Sequence, residues 1–162
     1  RVLFRSENTT GYANGYVHAR SIDSANHPSR NWVKNFLNSR LICLPGGWRI
    51  CGENLYARHS ISYDSLKSYF LLFSIWNENN QCLSWQETKE WAEMLELDVV
   101  DEVYLGLWNE NKIKALIESK ISCDEKTLEG FVIRLTSSFD YAMFSNSVGK
   151  FVRANHVQTD KH

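Results

Sequence analysis

Gly46-Gly47-Trp48-Arg49-Ile50-Cys51-Gly52-Glu53-Asn54-Leu55-Tyr56 opens on a two-glycine turn signal and continues as a β-leaning run with a single carboxylate inside it. Alternation at period two puts Arg49, Cys51, Glu53 and Leu55 on one face, and Ile50, Gly52, Asn54 and Tyr56 on the other. Gly52 lets something approach the strand closely beside Glu53. A charge inside a strand is ordinarily a solvated outer-face residue. Glu53 becomes a candidate site residue only because partners for the same chemistry occur elsewhere in the chain.

Upstream of this strand, Asn14-Gly15 is a two-residue hairpin signal with β-prone residues on either side, which predicts strands near 8–13 and 16–21. Trp32, Val33, Phe36 and Leu37 then share one helical face, with Ser29 or Asn31 available as a cap. Downstream, Tyr69 to Trp76 (YFLLFSIW) is short and almost wholly apolar, as a buried strand is, and Gln81 to Leu83 reads as its return after a polar turn. Ser84-Trp85-Gln86-Glu87 is a capping box that predicts a helix to about Leu97. Further strands are predicted over Asp101 to Trp108, Glu129 to Leu135 and Gly149 to Val152, with a helix near 110–120 and a hairpin over Ser137 to Asn146. Hairpin-linked strands with three helices predict an α+β fold of antiparallel sheets and flanking helices.

At 162 residues, 43% hydrophobic and 23% charged, the chain has the size and composition of one folded domain. No apolar run approaches the ~18 residues of a transmembrane helix, and no signal-peptide pattern follows the N-terminus. Cys43, Cys51, Cys82 and Cys123 form no CxxC pair, and the five histidines add no zinc spacing, so reduced thiols, a cytoplasmic setting and no structural metal are expected. The net charge of −1 is unevenly spread. Residues 1–60 hold eight Lys/Arg against three Asp/Glu, residues 61–130 six against fourteen, and residues 131–162 four against two. A basic first third permits a local phosphate-binding surface, although acidic helices on an outer face would produce the same distribution.

Arg20, Glu53, Phe73, Glu129 and the pair Lys150/Arg153 together supply what a nucleoside triphosphate needs: cations for phosphates, carboxylates for ribose hydroxyls and Mg²⁺, and an aromatic face for the base. Each also has an ordinary alternative. Arg20 sits at a strand end, Phe73 suits a core, Glu129 starts a strand, and Lys150 and Arg153 suit a surface. Strand alternation leaves open whether Lys150 or Arg153 points inward.

In order and spacing these residues resemble the ATP-dependent RNA ligase family, among the lysine-adenylating nucleotidyltransferases that also include DNA ligases and capping enzymes. The resemblance covers Glu7 to His162. Glu7-Asn8-Thr9 is similar to the tail of the family's Lys-any-Asp-Gly motif, and Ala19-Arg20-Ser21 to the motif whose arginine approaches the phosphate and the RNA end. Gly52-Glu53 resembles the ribose-binding glutamate motif, and Phe70 to Ile75, with Phe73, the motif whose aromatic ring stacks on adenine. Glu129-Gly130-Phe131-Val132-Ile133 resembles the metal-holding Glu-Gly motif, and Lys150-Phe151-Val152-Arg153 the last, phosphate-binding one. The resemblance implies an adenylation domain that uses ATP and Mg²⁺. A lysine takes AMP from ATP, passes it to an RNA 5′-phosphate, and a 3′-hydroxyl then displaces AMP to join RNA ends, as in RNA repair.

The chain departs from that pattern at the nucleophile. Counting back from Glu7, the motif's glycine falls at Ser6, its aspartate at Arg5 and its lysine at Leu3, which has no amine to attack with. Arg1 to Ser6 (RVLFRS) reads as linker-like sequence standing where the motif belongs, so a truncated N-terminus is expected rather than a degenerate relative, with the domain proper over 7–162. A chain of this sequence is expected not to adenylate itself. The rival reading is a non-catalytic module that binds nucleotide or RNA ends; a DNA ligase or a capping-type enzyme is the third.

Overall fold

A computed structural model describes residues 2–3, 7–19, 28–56, 68–123 and 130–152. Its first hairpin pairs β2 (Glu7–Tyr12) with β3 (Val17–Ala19). The turn takes three residues rather than two. Gly15 N–H bonds to Tyr12 O at 2.8 Å and Tyr12 N–H to Tyr16 O at 2.9 Å, with Gly15 at φ 85°, the left-handed position that glycine takes without a Cβ clash. β4 (Arg49–Asn54) pairs with the other edge of β2, after a turn in which Gly47 has φ 81°.

β5 (Phe70–Trp76) pairs antiparallel with β4, and the register steps from Gly52↔Leu72 to Cys51↔Ser74. Phe73 is therefore the inserted residue of a β-bulge. β6 (Gln81–Cys82) and β9 (Phe139–Asp140) complete a large sheet in the order β3-β2-β4-β5-β6-β9. β7 (Asp98–Val99) joins it in parallel, lying along Leu71 and Leu72 of β5. A second sheet orders β1 (Val2–Leu3), β8 (Gly130–Arg134) and β10 (Val148–Val152). Val2 and Leu3, outside the domain in the sequence reading, pair with Phe131 and Gly130 of β8.

Two helices cover one face of the large sheet. α1 (Pro28–Leu41) starts on proline, which suits the first helical position, and buries Val33, Leu37 and Leu41. Ser29 and Asn31 lie within the helix rather than before it. Ile50, Phe70, Leu72 and Ile75 meet this helix and α2 (Trp85–Met94) in one core. The capping box at Ser84 and Glu87 is present, but α2 stops at Met94 instead of Leu97. Glu96 takes φ 52°, and the bonds Leu97 N–H to Ala92 O and Glu96 N–H to Glu93 O form a Schellman ending that buries Leu97 against Ala92.

Two expected elements are absent. Residues 101–108 form no strand, because the open edge of β5 is already taken by β7 and by Val100 N–H bonded to Leu72 O at 2.9 Å. Leu107 and Trp108 project outward instead. The expected hairpin over 137–146 is β9, a 3₁₀ turn (Tyr141–Met143) and the single-turn α4 (Phe144–Ser147), which feed the chain into β10. α3 (Glu110–Cys123) forms as expected, with Asn109 Oδ1 accepting from Lys112 N–H. The fold is α+β with largely antiparallel sheets. Among the described residues no helix is long and apolar enough to cross a membrane.

Candidate active site

Ile50 and Gly52 of β4 face the helices, so alternation turns Arg49, Cys51 and Glu53 to the opposite side of the sheet. Glu53 is 1% exposed. That removes the ordinary explanation of a solvated outer-face charge, since burying an ionised carboxylate is costly and surfaces rarely do it for nothing. The group that closes on Gly52 is the Phe70 ring: a Cβ at residue 52 would stand 2.2 Å from Phe70 Cζ. This glycine therefore serves packing on the helix side, not ligand approach on the Glu53 side.

The bulge decides the direction of Phe73. Phe70, Leu72 and Ile75 all enter the helix-side core, a spacing of two and then three. Phe73 and Ser74 consequently both turn to the Glu53 face, where the Ser74 hydroxyl bonds to the Cys51 thiol. Phe73 is half-buried and does not belong to the buried core. Trp76 continues that face, with the Arg49 guanidinium 4.9 Å above its ring. At the other edge Tyr12 and His18 stack with ring centroids 5.7 Å apart.

The second sheet touches the large one near Trp76 and Phe73. Val148 of β10 packs with Trp76, Cys82 and Phe139, and Arg134, its cross-strand neighbour, donates to Phe73 O at 3.3 Å and Leu83 O at 2.9 Å. Lys150 is two residues beyond Val148 and opposite Val132, so it shares this face. Phe151 stacks on Phe131 at 5.0 Å on the other side of the sheet. Lys150 is exposed and lies on the same face of β10 as Val148.

Arg20, Glu129 and Arg153 lie outside the described residues, but their neighbours place the ends of their segments. Ala19 ends β3, and Gly130 opens β8, opposite both Leu3 and Val152. The backbone thus sets Leu3 across from the residue that follows Glu129. Among the described residues no cluster of three or more His, Cys, Asp or Glu side chains is assembled; Mg²⁺ commonly takes only one or two carboxylates.

Arg134 escaped the sequence reading. A cation closing an apolar strand looks like a surface residue, and nothing in the spacing marks its reach to Phe73. Burial pushes the Cys51 thiol above its usual range, and pushes that of Cys82 from 9.0 up to about 11, the Arg134 charge pulling back only in part. Cys43, Cys51 and Cys82 are all free thiols. A groove of ≈ 390 Å³ lined by Gly15, Tyr16, Val17, Lys34, Asn35 and Asn38 lies apart, between the first hairpin and α1.

The chain is an α+β protein of two sheets, with a buried acid and a bulged aromatic residue on the large sheet. The family model for RNA ligase matches residues 3–152, and the chain belongs to the RNA ligase family. No curated protein and no solved structure matches it.

Proposed function

We propose that the chain is the adenylation domain of an ATP-dependent RNA ligase of the nucleotidyltransferase type, built to hold an adenosine phosphate and RNA ends between its two sheets. The observation that carries this reading is the joint placement of Glu53 and Phe73. A buried carboxylate and an aromatic ring of adjacent strands turn to one face, where the acid accepts hydrogen bonds from ribose hydroxyls and the ring stacks on adenine. Lys150 of β10, with Arg20 and Arg153, neutralises phosphate charge, and offsets charge developing on the transferred group. Glu129 is assigned to Mg²⁺, whose contribution when bound is to polarise the phosphate oxygens. The chain's own residues grip the nucleotide, orient the α-phosphate toward the nucleophile position and hold the RNA end beside it.

Leu3 stands in that nucleophile position, across from Gly130. This favours a second statement within the same reading: the chain binds nucleotide without transferring AMP to itself. Calorimetric titration with ATP and Mg²⁺ tests the binding. The chain binds ATP in preference to GTP, and Glu53→Ala and Phe73→Ala each weaken ATP binding by about tenfold or more, the scale of a lost charge-assisted hydrogen bond or a stacked base. Equal affinity in the two variants and the parent would remove the proposal.

A further inference from the structure

Arg134 ends the strand that begins just after Glu129, and its guanidinium spends its N–H groups on three backbone carbonyls, that of its own neighbour and those of two distant segments. Nε donates to Leu135 O at 3.0 Å, Nη1 to Phe73 O at 3.3 Å and Nη2 to Leu83 O at 2.9 Å, beneath the Phe139 and Trp85 rings with centroids 5.4 and 5.8 Å away. The Phe73 carbonyl belongs to the bulge, where the β4–β5 ladder is interrupted. A donor brought in from the other sheet meets it there, and the same donor group fixes the entry to α2 through Leu83.

We propose that Arg134 is a positioning residue for base recognition. By holding the carbonyl of the bulge, it sets the angle at which the Phe73 ring is presented, and it couples that ring to the strand that begins at Gly130. The inference rests on the reading above that Phe73 stacks on adenine. Only arginine can fill this position, because its rigid planar fork reaches diverging carbonyls at once, whereas lysine offers one compact charge.

The test compares Arg134→Lys and Arg134→Gln with the parent chain, by titration with ATP and GTP in Mg²⁺ alongside thermal unfolding. Arg134→Lys keeps the charge and is the variant that folds if the others do not. The expected result is a loss of ATP affinity of about tenfold, the scale of a lost charge-assisted hydrogen bond, with GTP affinity little changed, so that the preference for ATP collapses. A purely structural arginine would lower the unfolding midpoint and leave the ATP-to-GTP ratio alone. An unchanged ratio in Arg134→Lys, whatever the midpoint does, overturns the inference while leaving the nucleotide site standing. A parent chain that binds neither nucleotide overturns the site itself and this inference with it.

Discussion

Gly52 and Phe70 occupy one another's space. With 2.2 Å between a residue-52 Cβ and Phe70 Cζ, and Leu71 O a further 2.8 Å neighbour, any side chain at 52 must displace a ring that is itself wholly buried. Gly52→Ala should therefore cost about 1–3 kcal/mol in denaturant unfolding, the usual penalty for overpacking. Adding Phe70→Leu, which removes the ring atoms in the way, should make the double variant lose less than the sum of the singles. Cys82 yields a pH prediction. Its folded thiol holds its proton up to about 11 against an ordinary 9.0, because burial penalises the thiolate. A raised folded value means the contribution is complete below pH 9.0 and is lost as pH climbs through about 11. The unfolding midpoint should fall across that window, and less steeply in Cys82→Ala. At this scale the candidate site was legible only where the residue type alone argued for chemistry. Glu53 announced itself as a charge in an apolar strand. Arg134 did not, because its role depends on a carbonyl 61 residues away that only the fold brings near.

The elements most clearly written in the chain are those whose local chemistry closes on itself. The capping box is one: Ser84 Oγ accepts from Glu87 N–H at 3.2 Å, while Glu87 Oε2 accepts from Ser84 N–H at 2.9 Å. Ser84→Ala should cost about 1 kcal/mol of stability. The bonds from Ser84 hold the Glu87 carboxyl below the usual carboxylate range, so its contribution is present at neutral pH and fades as pH falls through the lowered value. The penalty of Ser84→Ala measured at neutral pH should accordingly shrink under acid conditions. Elements that depend on a neighbour were harder to read. Residues 101–108 look like a strand by composition, yet the edge they would join is filled by β7. The end of α2 turned on Glu96, which no rule of composition marks as a left-handed cap, since glycine and asparagine normally take that place. The bulge at Phe73 was invisible for a related reason: in an almost wholly apolar strand, no alternation exists to be broken.

For the whole molecule, the two sheets divide the work. The large sheet presents Glu53 and the bulged Phe73 on the side away from its helices, and Arg134 of the small sheet reaches the Phe73 carbonyl. The order of motifs along the chain made an α+β ligase legible from sequence, and the family match over residues 3–152 bears out the family. Which face of β10 looks inward had no answer in the sequence, because alternation alone gives two equivalent choices. Val148 packs on Trp76 and Phe139, which puts Lys150 on that same face of β10, while Arg153 lies outside the described residues. The central claim is that a nucleotide held between these sheets lies with its α-phosphate at residue 3, beside the strand that follows Glu129. The most direct measurement is covalent labelling with α-labelled ATP and Mg²⁺ of the chain and of the variant Leu3→Lys/Arg5→Asp/Ser6→Gly. The account predicts no label on the chain and an AMP–lysine adduct on the variant, lost again when Glu53→Ala is added. Label on the unaltered chain, or none on a folded variant that still binds ATP, would contradict it.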